Sequence, residues 1–146
     1  MAEKMLLGDI PSVVDESIRP SISAFWDFLQ KKEIKADGEH IELLVKNDEH
    51  RYAGTLDALV EMDGKFGVLD IKTSSGIYRD YNLQTSAYVD ALQKKFPNLN
   101  HRWILRIDQQ QTCRRCGAKR RMKGGRENIK RAFGEERVLG LTGTTT

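Results

Sequence analysis

Ile22, Phe25, Trp26 and Leu29 fall at i, i+3, i+4 and i+7, the spacing that lines one face of an α-helix. They predict an amphipathic helix from Ser21 to about Lys32. Residues 1 to 20 before it carry no strong period, and Pro11 and Pro20 punctuate them. Beyond the turn signal Asp37-Gly38 the pattern becomes extended. Residues 40–46 (HIELLVK) predict a strand, Asn47-Asp48-Glu49-His50 a hairpin connection, and residues 51–62 (RYAGTLDALVEM) the partner strand. Asp63-Gly64 is a strong hairpin signal, because a tight turn needs residues that accept positive φ. A third strand, residues 65–73 (KFGVLDIKT), follows at once.

Ser74 to Tyr81 reads as a loop containing Gly76. Asp80 is the expected N-cap of a helix from Tyr81 to about Lys95, with Leu83, Ala87, Ala91 and Leu92 as its buried stripe. Pro97 stops it. Residues 100–108 (NHRWILRID) predict a fourth strand, in which Trp103, Leu105 and Ile107 alternate against Arg102, Ile104 and Arg106. Beyond Gln109 little regular pattern remains, and Gly140 to Thr146 read as a frayed end. No internal repeat is visible. The order α-β-β-β-α-β predicts a mixed central sheet flanked by helices, an α/β core.

The 146 residues fit a single core over residues 1–110 with a basic, cysteine-containing appendage over residues 111–146. Composition (39% hydrophobic, 31% charged) is that of a soluble globular chain. No stretch approaches the ~20 apolar residues that span a bilayer, and Met5-Leu6-Leu7 is too short for a secretory core. A cytoplasmic address without membrane association is the expectation. The net charge of +3 conceals an asymmetry: between residues 113 and 131 nine Lys and Arg face one acid, Glu127. That segment is expected to be partly flexible, with Arg114, Arg115, Arg120 and Arg121 placed to meet phosphates.

Three polar residues stand where a purely structural strand would not want them. Asp57 lies mid-strand in Gly-Thr-Leu-Asp-Ala-Leu-Val, where a short charged side chain is costly to bury unpaired. Asp70 and Lys72 flank Ile71 in Val-Leu-Asp-Ile-Lys-Thr, and alternation puts them on one strand face about 6.6 Å apart. The tight Asp63-Gly64 turn makes the two strands neighbours, so the carboxylates can converge with a lysine beside them. Two carboxylates at one point repel unless a cation neutralises them, and such hard oxygen donors suit Mg²⁺ or Mn²⁺. An isolated Asp-x-Lys would otherwise read as an ordinary ion pair on a sheet face.

The series Gly54-Thr55-Leu56-Asp57, Leu69-Asp70-Ile71-Lys72-Thr73-Ser74 and Leu83-Gln84-Thr85-Ser86-Ala87-Tyr88 resembles the G-x-x-D, (D/E)-x-K-T and Q-x-x-x-Y motifs of the PD-(D/E)xK nuclease superfamily. The resemblance is to its RecB-like branch, which holds phage exonucleases and the mitochondrial genome-maintenance exonuclease. It covers about Glu42 to Asp108. It implies a restriction-endonuclease-like fold and a metal-dependent deoxyribonuclease, with an exonuclease as the first expectation, in phage or bacterial DNA processing. It further implies hydrolysis of phosphodiesters in single-stranded or duplex DNA to a 5′-phosphate and a 3′-hydroxyl. Asp57 and Asp70 would be metal ligands, the carbonyl of Ile71 a further one, and Lys72 the catalytic lysine. Gln84 and Tyr88 would orient Lys72 or the DNA, or else simply pack helix on sheet. Glu42 best fits the family's further metal-site carboxylate, with a surface strand glutamate as the alternative; Glu39 and Glu49 fit it less well.

The sequence departs from many relatives in having no histidine before His40, which leaves metal stoichiometry open. Cys113-Arg-Arg-Cys116-Gly has the spacing of half a zinc knuckle, but structural zinc takes four ligands. His101 or a second subunit could supply others. A redox role is disfavoured because the pair does not open a helix in a βαβ unit. The rival to the enzyme is a catalytically silent nuclease fold that binds DNA or serves as a structural subunit. The intact Asp57, Asp70 and Lys72 set speaks against it.

Overall fold

The computed structural model describes residues 1–123, 126–130 and 144–145. A short helix α1 (Ala2–Leu6) precedes helix α2 (Arg19–Lys32) and a 3-10 turn at Gly38–His40. Strands β1 (Ile41–Asn47), β2 (Tyr52–Met62) and β3 (Lys65–Lys72) follow, then helix α3 (Arg79–Leu92) and strand β4 (His101–Arg106). These strands form one mixed sheet in the order β1-β2-β3-β4. The β1–β2 and β2–β3 pairs are antiparallel and β3–β4 is parallel, with α3 as the crossover. Asp63 (φ 53) and Gly64 (φ 71) both take left-handed backbone in the β2–β3 turn, as a tight hairpin requires.

The sheet is covered on both sides, which is why β2 and β3 read as near-continuous apolar runs. On one side Phe25 and Leu29 of α2, with Met5 and Leu6, close on Ala58, Val60 and Leu69. On the other, Tyr88 and Leu92 of α3 pack with Val45, Leu56, Leu59, Val68 and Leu99. Each fully buried Leu or Val contributes roughly 1.5–3 kcal/mol, so these two layers fix the sheet against both helices. Trp103, Leu105 and Ile107 pack on the α2 side, as their alternation predicts.

Three expectations need correction. Helix α3 starts at Arg79 with Tyr78 as N-cap and no capping side chain, so Asp80 lies within the first turn. Leu83 is 62% exposed, and the buried positions of α3 are Thr85, Tyr88 and Leu92. The stripe is rotated because the helix docks through the hydrogen bonds of Tyr88 as well as through apolar contact. The unpatterned N-terminal region contains α1, whose Met5 is 1% exposed; five residues are too few for a period to be read.

The basic appendage also holds regular structure. Strands β5 (Gln111–Cys113), β6 (Lys119–Lys123), β7 (Arg126–Lys130) and β8 (Thr144–Thr145) form a second sheet, in the order β7-β6-β5-β8. Thr144 and Thr145 pair with β5, so that part of the expected frayed end is extended and paired, while residues 140–143 lie outside the described residues. Strands this short leave no hydrophobic alternation to read. Their pairing is supplied by backbone ladders and by long-range polar contacts: Arg121 bonds Asp108 and Arg120 bonds Gln111, while Gln111 Nε2 donates to Ser17 O at 3.2 Å. No helix among the described residues is long and apolar enough to cross a membrane.

Candidate active site

The site begins with an irregularity in the β1–β2 pair. Leu43, Val45 and Leu56 pack on the α3 side of the sheet, whereas Ile41, Ala58 and Val60 pack on the α2 side. The alternation therefore slips on both strands between these positions, at Glu42 and Asp57, where the ladder is interrupted between the Ile41–Ala58 and Leu43–Leu56 pairs. Glu42 takes a left-handed φ of 50° there. The β2–β3 ladder ends at Ala58 and Leu69. Just past it, Asp57 Oδ2 accepts the Ile71 N–H at 2.7 Å. The carboxylate thus takes over where a backbone acceptor would otherwise sit, which is why an aspartate is tolerated mid-strand and which way it points.

Asp70 and Lys72 project from β3 toward α3. Asp70 is 2% exposed. Lys72 Nζ lies 3.0 Å from Asp70 Oδ2 but off the direction a hydrogen bond needs, and this buried oxygen has no hydrogen-bond partner among the described residues. Lys72 instead donates to Gln84 Oε1 at 3.1 Å, and its ammonium sits 4.8 Å from the centre of the Tyr81 ring. Gln84 Nε2 donates to the Tyr88 hydroxyl at 2.9 Å, and that hydroxyl donates to Thr55 O at 3.1 Å. The chain Lys72–Gln84–Tyr88–Thr55 ties the lysine to α3 and back to β2. The spacing of Gln84 and Tyr88 by one helical turn makes it possible.

Gly54 belongs to the same device. A Cβ there would stand 2.9 Å from the Tyr88 hydroxyl, so the missing side chain is the space through which Tyr88 reaches Thr55. Gly54→Ala is expected to displace Tyr88, loosen Gln84 and let Lys72 wander while the sheet remains intact. Cleavage should fall by up to about a hundredfold, the scale of a 1 Å misplacement, with the far-ultraviolet circular dichroism unchanged. Full activity in Gly54→Ala would detach this chain of bonds from the chemistry.

Burial raises the pKa of Asp57 above the usual carboxylate value, and the nearby charges of Asp70 and Glu3 add to the rise. The Ile71 N–H and the Lys72 charge pull the other way without cancelling it. Glu3 carries no signal of this role in its local sequence. It stands on α1, far from every motif in sequence, and only the burial of Met5 and Leu6 brings it near. Its own pKa is lowered, first by the hydrogen bond from the terminal ammonium of Met1, 2.8 Å away.

The donors present suit a hard divalent cation. Mg²⁺ takes one or two carboxylates and keeps water for the rest of its shell, and Asp57 with the unsatisfied Asp70 oxygen offers two. No cluster of three or more acidic, histidine or cysteine side chains able to hold a metal forms among the described residues. Glu42 is exposed, and the bonds that assemble the centre do not include it, which accords with the alternative of a surface strand glutamate. The strand slip turns its side chain outward. Ile71 contributes its N–H to Asp57, a positioning role the motif did not suggest.

Cys113 and Cys116 occupy the tight β5–β6 turn, closed by Gly117 N donating to Cys113 O at 2.9 Å and Cys113 N to Ala118 O at 2.8 Å. His101 does not join them; it stacks on Trp103 at 5.8 Å. Arg114 and Arg115 are exposed at that turn, whereas Arg120 and Arg121 point back to Gln111 and Asp108. The acceptors that engage Arg120 and Arg121 lie outside the basic run.

Compared with known proteins, the sequence matches no family model and no curated protein. The reading of the site therefore rests on its residues and their geometry.

Proposed function

We propose that the protein is a divalent-metal-dependent nuclease of the PD-(D/E)xK type with a restriction-endonuclease-like core, hydrolysing phosphodiester bonds in DNA. The observation that carries this reading is the convergence of Asp57, Asp70 and Lys72, with a buried Asp70 oxygen left unsatisfied beside the lysine ammonium. The ammonium offsets the charge of that oxygen, but a buried acceptor without a hydrogen bond costs roughly 1–3 kcal/mol and more when charged, which a bound cation would relieve. Supporting it are the parallel β3–β4 pair with α3 as crossover and the Lys72–Gln84–Tyr88 chain.

Asp57 and Asp70 would hold Mg²⁺ or Mn²⁺, which when bound polarises the phosphate and activates water. Lys72 supplies a positive charge at the fixed position where the phosphoryl group gathers negative charge. Gln84 holds the ammonium by accepting from it, so that no rearrangement is needed as the reaction proceeds. Tyr88 fixes the Gln84 amide in the orientation that presents its oxygen to Lys72. End-labelled and circular DNA, single-stranded and duplex, incubated with Mg²⁺, Mn²⁺ or EDTA, test the reading. Metal-dependent cleavage is expected, and loss of circles separates internal from terminal cutting. A silent fold would instead show a Mn²⁺-dependent rise in melting temperature without products.

The exposed pair Arg114 and Arg115 is the proposed phosphate contact of the appendage. Replacing both by Gln should flatten the dependence of log affinity on log salt by about 1.4 to 1.8 units, from roughly 0.7–0.9 per phosphate contact. The rate at saturating DNA should hold. An unchanged slope would make them merely solvated.

A further inference from the structure

Next to Lys72, the loop between β3 and α3 presents an apolar surface that the hydrolytic chemistry does not use. Ile77 is 58% exposed, Tyr78 47% and Leu83 62%, three large side chains within one short stretch. The Tyr78 ring meets the Tyr81 ring edge-on, with centroids 5.5 Å apart at 82°. Tyr81 in turn lies under the Lys72 ammonium. The exposed ring is therefore two contacts from the catalytic lysine. It is also held in place. Ser75 Oγ and the Tyr78 hydroxyl share a hydrogen bond of 2.8 Å, Ser74 Oγ donates to Gly76 O at 2.7 Å, and Arg106 reaches Ser74 O from β4.

A fixed, exposed aromatic ring linked through Tyr81 to a lysine ammonium has the make-up of a stacking platform for nucleobases. The cation meets the phosphate and the ring meets the base of the same strand. Bases within a duplex already have both faces stacked, so the ring can serve only a base that is unpaired or splayed out. Ile77 and Leu83, exposed in the same stretch, add apolar surface for such a base.

Resting on the nuclease reading, we propose that Tyr78 stacks on an unpaired base of the strand being cut, and that this makes single-stranded or frayed DNA the preferred substrate. Stacking on one aromatic side chain changes affinity by about five- to 150-fold.

The test is fluorescence anisotropy of the full chain in EDTA with three labelled probes. They are a short oligothymidylate, an abasic strand of the same length and charge, and a blunt two-stranded duplex without an unpaired loop. Tyr78→Ala is expected to weaken oligothymidylate binding at least fivefold. It should leave the abasic strand and the duplex unchanged, and Tyr78→Phe, which keeps the ring but not its hydrogen bond to Ser75, should retain most of the wild-type affinity. Equal oligothymidylate affinity for Tyr78→Ala and the wild type overturns the stacking, as does equal loss on the abasic strand. If the wild type still cleaves DNA with Mg²⁺ in either case, the nuclease reading stands. If the wild type neither binds nor cleaves any of the three, the nuclease reading itself has failed and the stacking goes with it.

Discussion

Asp57→Asn and Asp70→Asn should each abolish cleavage, and in metal-free buffer Asp57→Asn should melt higher than the wild type. The first half follows from the loss of a charged ligand. An amide brings no charge to the cation, and the several kcal/mol that a bound metal supplies correspond to on the order of a thousandfold or more in rate. Metal affinity by calorimetry should fall with activity. The second half follows from the raised pKa of Asp57. A carboxyl whose folded pKa lies above its unfolded value contributes stability below the unfolded value. That contribution is lost as pH rises through the folded one. At neutral pH ionised Asp57 is therefore a burden on the metal-free fold. Asparagine removes the charge while its side-chain oxygen can still accept from Ile71. A rise of a few degrees is expected, since about 1 kcal/mol corresponds to roughly 2–8 °C in domains of this general size. The difference from wild type should shrink as pH falls into the carboxylate range, where Asp57 takes up its proton. Thermal melts of both proteins across pH, in EDTA, read it directly. A fully active Asp70→Asn would refute the metal assignment, and an Asp57→Asn that melts lower at every pH would make Asp57 a structural acceptor.

Lys72→Ala should lose on the order of a hundredfold or more in rate, the usual cost of removing one fixed electrostatic stabiliser. It should also become the least stable of the site variants in EDTA. Removing one partner of a buried pair leaves the other charge uncompensated at a cost of about 3–5 kcal/mol, and Asp70 is the buried partner. The partial exposure of Lys72 puts the expected loss at the lower end of that range. Mn²⁺ should recover much of the stability, because a cation at Asp70 replaces the lost charge, but not the rate. Melting temperature and turnover measured with and without Mn²⁺ separate the two effects. A variant that stays unfolded at saturating metal, while Asp57→Asn folds, would mean that Lys72 serves the fold alone.

The central sheet was legible because its signals are local. The Asp63-Gly64 turn, the apolar runs of β2 and β3 and the helical spacing of Ile22, Phe25, Trp26 and Leu29 each lie within one short window of chain. The same holds for the centre of the site. Asp70 and Lys72 share a strand face, Gln84 and Tyr88 share a helix face, and a tight hairpin brings Asp57 alongside. The appendage was less legible for the converse reason. Its charge gave no sign that Asp108 and Gln111 engage Arg121 and Arg120 from outside the basic run. Counting acids within a segment cannot anticipate partners supplied from elsewhere.

By itself, then, the sequence determined the two antiparallel hairpin pairings, the helices that cover the sheet and the residues that meet at the centre, since periodicity and turn chemistry act over a few residues. Only the tertiary structure decided how those residues are aimed. The slip at Glu42 and Asp57 turns one acid outward and the other onto the Ile71 N–H. The docking of α1 brings Glu3 to bear on Asp57. The gap at Gly54 admits Tyr88, and the β3–α3 loop sets Tyr78 against Tyr81, the ring under the lysine. Each depends on contacts between segments distant along the chain, where burial and packing, rather than local propensity, fix the side chain.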